Sequence, residues 1–249
     1  MALLRKGGAA YDGEGERDGL MPEQPLPTGD DKVRAVRAMF DAIAPRYDLV
    51  NRIMTFGMDV SWRRRAVASL GLRKASLVLD LACGTGDLCR ELQARGYRAI
   101  GFDLSVGMLH AARTSAPLVQ GDILELPLRS ACAGGITCGF ALRNVTDVDA
   151  LFEEMRRVLR RGGRVAILEV ATPDAALLRA GHHFYFHKVV PLIGGLLSSR
   201  DAYRYLPRSA AYLPPREKLM EMMRGAGFAD ATSQLLAGGA AQLITATRS

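Results

Sequence analysis

The hydrophobic pattern of residues 77–169 alternates between two periodicities. Short apolar runs typical of strands are separated by stretches in which apolar residues recur every three or four positions. The predicted strands are 77–81, 98–103, 117–120, 134–140 and 164–169. The predicted helices or helical turns between them are 86–95, 105–114, 123–126 and 147–160. This alternation predicts an α/β fold with a Rossmann-like, doubly wound, mostly parallel sheet.

The segments outside this region have other patterns. Residues 1–31 are rich in Gly, Pro and acidic residues and predict a disordered N-terminal arm. Helical patterns run from Asp31 to Pro45 and over about 59–71. A mainly helical insertion is predicted at 172–224. Two final runs, 228–236 and 240–247, predict an antiparallel C-terminal hairpin that closes the sheet edge.

The composition of the chain indicates its domain size, its relation to membranes and the partners that its charge suits. With 249 residues and 49% hydrophobic content, the chain can bury a full core in one large domain, predicted at 32–249. The longest apolar run, VVPLIGGLL, has nine residues, against the roughly 18 that a membrane span needs. The N-terminus lacks an apolar signal core, so a cytoplasmic protein is predicted. The net charge of +7 suits a solvated basic surface, an anionic membrane surface or nucleic acid.

A glycine-rich loop follows the first predicted strand in VLDLACGTGD, residues 78–87. Gly84 and Gly86 can adopt positive φ and allow a ligand close to the backbone. The helix that begins near Gly86 directs free amides to the same place. A dinucleotide site would show G-x-G-x-x-G and a phosphate loop G-x-x-x-x-G-K, and this loop has neither.

Acidic residues flank this loop and end the neighbouring strands. Asp80 and Asp87 lie on either side of it, where carboxylates repel a pyrophosphate but suit a cationic amine. Asp103 ends the second strand and can accept hydrogen bonds from both ribose hydroxyls of an adenosine. Asp122 follows the third strand and can reach the exocyclic amine of an adenine. A sulfonium, an amine, a ribose and an adenine together describe S-adenosylmethionine, the predicted cofactor.

The order D-x-x-C-G-T-G-D, a strand-ending acid and G-D-x-x-x-L-P resembles the class I methyltransferases. Three further blocks resemble the menaquinone/ubiquinone C-methyltransferase family. They are YDLVNRIMTFGMDVSWRR (47–64), GFALRNVTD (139–147) and RRVLRRGGRVAILEV (156–170). Residues 201–228 are similar to the family's Y-x-Y-L-P-x-S block and its following helix, so the resemblance covers about 32–248.

The resemblance implies roles for the matched residues. Cofactor binding is implied for Asp80, Gly84, Thr85, Gly86, Asp103, Asp122, Ile123 and Gly139. The resemblance also implies that residues 32–71 form a helical lid. Contacts in the lid or with the substrate are implied for Tyr47, Asp48, Asn51, Tyr203 and Tyr205. For the lid residues, a helix cap or core contact is the alternative. Gly139 stands where many members have Ser, and Asp59 where many have His.

The resemblance also implies catalytic residues in the turn after the fourth strand. Arg143 can stabilise a developing phenolate, and Asn144 can orient an oxygen. A structural salt bridge is the alternative for Arg143. Methyl transfer to a quinol carbon further requires an in-line approach to the methyl group and loss of a proton.

The segment 177–197 combines apolar residues with three histidines. His183 and His187 share one helix face, but the Glu of H-E-x-x-H is missing, so no metal site is predicted. A wall for a polyprenyl tail, a homodimer contact and ordinary core packing all remain open for this segment.

The predicted function is S-adenosylmethionine-dependent C-methylation of a prenylated quinol, with demethylmenaquinol as first candidate. The predicted partners are this substrate and an anionic membrane surface, contacted peripherally from the cytoplasmic side. One alternative is methylation of another lipid-like or aromatic natural product. An RNA methyltransferase would show N-P-P-Y where this chain has LRNV, so no nucleic-acid partner is predicted. A non-catalytic protein is disfavoured because Asp80, Gly84, Gly86 and Asp103 are all present.

Overall fold

A seven-stranded sheet forms the centre of the part of the chain that the structure describes. The computed structural model describes residues 28–197, 205 and 208–249. The strands are β1 (Leu77–Leu81), β2 (Arg98–Asp103), β3 (Leu118–Gln120), β4 (Ala133–Gly139), β5 (Leu159–Val170), β6 (Phe228–Leu236) and β7 (Ala241–Arg248). Their order is β3-β2-β1-β4-β5-β7-β6. The strands β1 to β5 pair in parallel and β7 is antiparallel to β5 and β6, which confirms the predicted sheet and closing hairpin.

Helices cover both faces of this sheet and the edge where its parallel strands end. They are α1 (Gly29–Ile43), α2 (Tyr47–Met54), α3 (Met58–Ser69), α4 (Asp87–Ala94), α5 (Val106–Ala111), α6 (Val148–Val158), α7 (Ala176–Phe184), α8 (Val190–Leu197) and α9 (Arg216–Gly225). A π-helical turn (Tyr185–Val189) joins α7 to α8, and a 3₁₀ turn (Leu142–Asn144) follows β4. The predicted insertion at 172–224 therefore carries α7, α8 and nearly all of α9.

The N-terminal helices differ from the predicted boundaries. Helix α1 begins at Gly29, inside the segment predicted as a disordered arm, whose first 27 residues lie outside the described chain. Asp30 and Asp31 lie in its first turn, where the helix dipole favours carboxylates. After α1 the chain makes one turn at Ala44–Arg46. Pro45 is the second residue of this turn, where its missing N–H is harmless, and the chain then continues into helix α2.

Alternating strand residues fill two cores, one on each face of the sheet. Leu79 and Ile167 belong to one core, and Val78 and Leu168 belong to the other; all four side chains are fully buried. Successive side chains of a strand point to opposite faces, so parallel strands covered on both sides are apolar throughout. Each such burial contributes about 1.5–3 kcal/mol to folding.

The loops of the candidate site lie at the carboxyl ends of β1, β2 and β4, which are adjacent in the sheet. Helices α1 and α2 cover this edge and pack on α5. Their contact is a small buried cluster that includes Ile43, Val50 and Met108. The first two helices therefore form a roof over the glycine-rich loop.

Candidate cofactor and substrate site

The carboxylate of Asp103, which ends the neighbouring strand, accepts a hydrogen bond from the backbone of the glycine-rich loop. The backbone N–H of Gly84 donates to Oδ2 of Asp103 at 2.7 Å, and that of Ser105 donates to Oδ1 at 2.8 Å. Gly84 has φ +52°, and a Cβ there would meet no atom within 4 Å. At Gly86 (φ +84°) a Cβ would lie 2.6 Å from Cγ2 of Thr114. The first glycine therefore leaves space for a ligand, and the second allows the chain to turn.

A cavity of about 130 Å³ lies between this loop and α1. Five of the predicted cofactor residues line it: Gly84, Asp103, Asp122, Ile123 and Gly139. Burial raises the pKa of Asp103, while its hydrogen bonds from Ser105 and Gly84 oppose this shift. Asp122 is exposed, and its Oδ1 accepts a hydrogen bond from the N–H of Leu124 at 2.9 Å. The open backbone at Gly84 and the two carboxylates fit the amine, ribose and adenine groups of the predicted cofactor.

Three predicted cofactor residues lie outside the lining of this cavity. Asp80 is fully buried behind the loop, where its carboxylate accepts hydrogen bonds from Thr137 Oγ1 at 2.8 Å and Cys89 Sγ at 3.4 Å. Burial raises the pKa of Asp80 to about 7. Thr85 donates its hydroxyl hydrogen to the carboxylate of Asp48, and Gly86 precedes helix α4. Asp80 therefore lies beneath the loop, and Thr85 and Gly86 are part of the loop itself. The hydrogen bond from Thr85 to Asp48 joins the loop to helix α2 of the roof.

Gly139 lines the cavity, but a side chain there would project toward α4. A Cβ at this position would lie 3.0 Å from Cδ1 of Leu88. A serine at this position would therefore require Leu88 to shift.

The roof is attached to the loops by contacts that the sequence did not predict. Oδ1 of Asp41 in α1 accepts hydrogen bonds from Ser105 Oγ at 2.6 Å and from the N–H of Gly107 at 2.8 Å. Nζ of Lys32 donates to the carbonyl of Val145 at 2.7 Å. The partners of Asp41 lie more than 60 residues away in the sequence, so no local pattern could reveal them.

A second cavity, of about 230 Å³, lies beside the first and is mostly apolar. Its lining includes Met39, Ile43, Met54, Phe56, Trp62 and Phe186. Four residues line both cavities: Phe40, Tyr47, Phe140 and Asn144. Of the predicted lid residues, Tyr47 and Asn51 contribute to this apolar cavity, whereas Asp48 does not. The two cavities therefore meet at a shared boundary.

Arg143 lines the apolar cavity and makes a buried ion pair with Glu169. Its Nη1 donates to Glu169 and to the carbonyl of Phe140 (2.8 Å), and its Nε donates to Ser209 Oγ at 3.2 Å. Among the described residues, none accepts a hydrogen bond from Nη2 of Arg143. The predicted salt-bridge alternative is therefore present in the structure, and one nitrogen remains available to a ligand. Apart from its place in the L-E motif, no sequence pattern indicated a role for Glu169.

Two further predicted residues flank the same boundary. The hydroxyl of Tyr205 donates to Oδ1 of Asn144 at 3.4 Å, and burial raises the pKa of Tyr205 to about 12. Burial also raises the pKa of Tyr47, although a hydrogen bond with Asn51 opposes this. Both phenols are therefore hydrogen-bond donors at neutral pH. Tyr203 lies outside the described residues.

An ion-pair network links α3 to the start of α4. Arg63, in the wall of the apolar cavity, pairs with Asp59 and, at 3.1 Å, with Oδ2 of Asp87. Burial disfavours its charge, but these two carboxylates outweigh burial and raise the pKa of Arg63. Asp59 also accepts a hydrogen bond from Thr55 Oγ1 at 2.8 Å.

The described residues show neither a metal-binding cluster nor a membrane-spanning helix. They contain no cluster of three or more His, Cys, Asp or Glu side chains arranged to hold a metal ion. None of their helices combines the length and apolar character needed to cross a bilayer. The predicted absence of a metal site stays a prediction.

Comparison with known proteins gives the family. The ubiE/COQ5 methyltransferase family matches residues 28–248. A demethylmenaquinone methyltransferase of Roseiflexus sp. (strain RS-1) is 45% identical over 228 residues, 88% of this chain and 96% of the relative. The ubiquinone/menaquinone biosynthesis C-methyltransferase UbiE of Geobacter sp. (strain M21) is 38% identical over 230 residues, 88% and 98% of the two chains.

The solved structures show the same fold. A SAM-dependent methyltransferase from Thermotoga maritima superposes with a TM-score of 0.61 at 19% identity, covering 86% of this chain and 99% of that one. This likeness confirms the predicted fold class, and the family match and the curated relatives confirm the methyltransferase activity and its S-adenosylmethionine cofactor. The chain belongs to the ubiE/COQ5 methyltransferase family.

Proposed function

We propose that this methyltransferase C-methylates a prenylated quinol, and that the quinol is demethylmenaquinol. The observation that carries the proposal is the apolar cavity, which shares Phe40, Tyr47, Phe140 and Asn144 with the cavity at the glycine-rich loop. An aromatic ring and an isoprenoid tail need an apolar pocket that opens toward the methyl donor. The names of relatives at 45% and 42% identity, demethylmenaquinone methyltransferases, support this choice of substrate.

The residues at the loop have distinct proposed roles in holding the cofactor. The carboxylate of Asp103 accepts from the ribose hydroxyls, and Asp122 accepts from the adenine amine. The open backbone at Gly84 allows the amino-acid end close to the loop. When bound, S-adenosylmethionine supplies an electrophilic methyl group on a sulfonium. Helices α1 and α2 exclude water from above.

Arg143 and Asn144 are proposed to act on the quinol oxygens from the apolar side. Nη2 of Arg143 donates a hydrogen bond to a quinol oxygen, and this bond strengthens as the oxygen approaches phenolate. Because Glu169 neutralises the guanidinium, Arg143 acts as a fixed donor rather than as an isolated cation. Asn144, contacted by Tyr205, orients the same or the second oxygen. The product keeps the new methyl group in place of one ring hydrogen, so one proton leaves the site.

The proposal includes peripheral contact with a membrane, since a polyprenyl tail resides in lipid and the net charge is +7. The homodimer contact predicted for 177–197 stays a prediction.

The function is tested by offering the purified protein labelled S-adenosylmethionine with demethylmenaquinol, a demethylated benzoquinol or bulk RNA in parallel. We expect label in the organic phase with demethylmenaquinol and none in RNA. Methyl transfer to the benzoquinol alone would mean that the substrate is a benzoquinol and not demethylmenaquinol. Transfer to RNA, or to neither quinol, would contradict the proposed function.

A further inference from the structure

Several large apolar side chains are exposed to solvent on α2, on the turn that follows it, and on α7 and α8. Ile53 exposes 40% of its surface, Phe56 76%, Phe184 64% and Leu192 61%. We call these four residues the apolar rim. Isolated exposed apolar residues are ordinary, but grouped ones mark an interaction surface.

The contacts between their helices place these residues together. The hydroxyl of Tyr185, next to Phe184, donates to the carbonyl of Met54, next to Ile53, at 2.7 Å. The rings of Phe56 and Tyr185 lie 5.9 Å apart, and α2 packs against α8, which carries Leu192. Phe56 and Tyr185 also line the apolar cavity. The apolar rim therefore borders the cavity in which the quinol is proposed to bind.

The charged residues of the segment that carries Phe184 and Leu192 are all basic. Residues 175–197 contain Arg179 and Lys188 but no Asp or Glu. Both cations are exposed, but the guanidinium of Arg179 donates to the carbonyls of Pro173 and Asp174, just before the start of α7, so Lys188 is the cation near the rim. Apolar side chains beside cations, without acids, suit the boundary between acyl chains and anionic lipid headgroups.

We propose that the apolar rim docks on the surface of an anionic lipid bilayer and that the quinol tail enters the cavity there. This inference rests on the proposed function, since it takes the cavity to hold a lipid-soluble substrate. A protein partner or a second copy on the rim would cover the cavity, whereas a bilayer would connect it to the substrate's own phase. Charge complementarity with the exposed Lys188 favours the bilayer further.

Sedimentation with vesicles of phosphatidylcholine containing about one third phosphatidylglycerol tests this surface. Ile53→Ser, Phe184→Ser and Leu192→Ser alter rim residues that line neither of the two cavities. We expect each to weaken vesicle binding about tenfold, because each removes an apolar side chain from the acyl boundary. Activity on a short-tailed, water-soluble demethylmenaquinol analogue should stay at the wild-type level.

Leu177→Ser is the control for the three rim variants, and Arg161→Glu is the control for a further charge variant, Lys188→Glu. Leu177→Ser alters a residue that is 86% exposed but lies at the opposite end of α7 from Phe184, and its vesicle binding should be unchanged. Lys188→Glu should weaken binding about tenfold, whereas Arg161→Glu, near the start of β5, should not.

Three results would overturn the inference. They are wild-type vesicle binding by the rim variants, an equal loss in Leu177→Ser, or a rim-dependent dimer in size-exclusion chromatography, which would make a second copy the occupant. The vesicle assay needs no turnover, so its failure is distinguishable from failure of the proposed function. If the wild type methylates neither the analogue nor demethylmenaquinol, the proposed function fails whatever the vesicles show.

Discussion

Arg143 and Glu169 form a buried ion pair that joins the turn after β4 to the end of β5. The side chain of Arg143 donates through Nη1, and its backbone N–H donates to Oε2 of the same carboxylate at 3.3 Å. The relative exposure of the two side chains is 5% and 0%. The geometry fixes the guanidinium at the wall of the apolar cavity and balances its charge.

Glu169→Gln should destabilise the fold, because it leaves the buried guanidinium of Arg143 without a counter-charge. We expect a loss of about 3–5 kcal/mol in the free energy of unfolding in urea, the usual cost of removing one partner from a buried pair. The matched control is Glu153→Gln, an exposed position on α6. An unfolding free energy equal to that of the control would show that the pair is not structural.

Asp103→Ala should weaken S-adenosylmethionine binding, because it removes an acceptor from two ribose hydroxyls. Each hydrogen bond to a charged acceptor is worth about 1.5–3 kcal/mol, so the loss of two predicts an affinity loss of about 100-fold or more by calorimetry. Asp149→Ala, at an exposed acid on α6, serves as control. Unchanged affinity in Asp103→Ala would remove the ribose assignment.

Asp41→Ala should loosen the roof, because it removes the acceptor of Ser105 Oγ and the N–H of Gly107. We expect S-adenosylmethionine to dissociate at least about tenfold faster, the equivalent of one lost charge-assisted hydrogen bond. Trp62 is the single tryptophan and lines the adjoining cavity, so stopped-flow fluorescence can follow release. Asp30→Ala, in the first turn of the same helix, should release at the wild-type rate. Equal release rates for both variants would contradict a clamp at Asp41.

Asp80→Asn should change how stability depends on pH. Burial raises the pKa of Asp80 from 3.8 to about 7, so the folded state disfavours the charged carboxylate. The stability contribution of this group is fully present below pH about 4 and is lost as pH rises to about 7. Relative to the wild type, the variant should therefore gain about 2–3 kcal/mol in unfolding free energy between about pH 5 and about pH 8. A constant difference would mean that Asp80 ionises at its ordinary pKa.

The sequence predicts those parts of the site that depend on neighbouring residues. The glycine-rich loop, the acid that ends β2 and the turn after β4 each follow a strand within a few residues. Because parallel strands end at one edge, Gly84, Asp103, Asp122 and Gly139 could be assigned to one place. The structure brings all four into the lining of one cavity.

The sequence could not predict contacts between distant segments. Asp41 meets Ser105 across 64 residues, and Arg143 meets Glu169 across 26. The division of the acids into cavity-lining Asp103 and buried Asp80 also depends on tertiary packing. The boundary between the two cavities arises only after α1 and α2 fold over the sheet edge.

Transfer of labelled methyl from S-adenosylmethionine to demethylmenaquinol by Arg143→Ala and Arg143→Lys tests the central claim most directly. With cofactor saturating, we expect Arg143→Ala to lower turnover by about 10²–10³-fold, the scale for one lost oxyanion donor. Arg143→Lys, which keeps the charge opposite Glu169 but loses the planar fork, should recover part of this loss. Calorimetric affinity for S-adenosylmethionine should stay near the wild-type value in both. Wild-type turnover in Arg143→Ala, or a loss explained wholly by cofactor affinity or unfolding, would contradict the account.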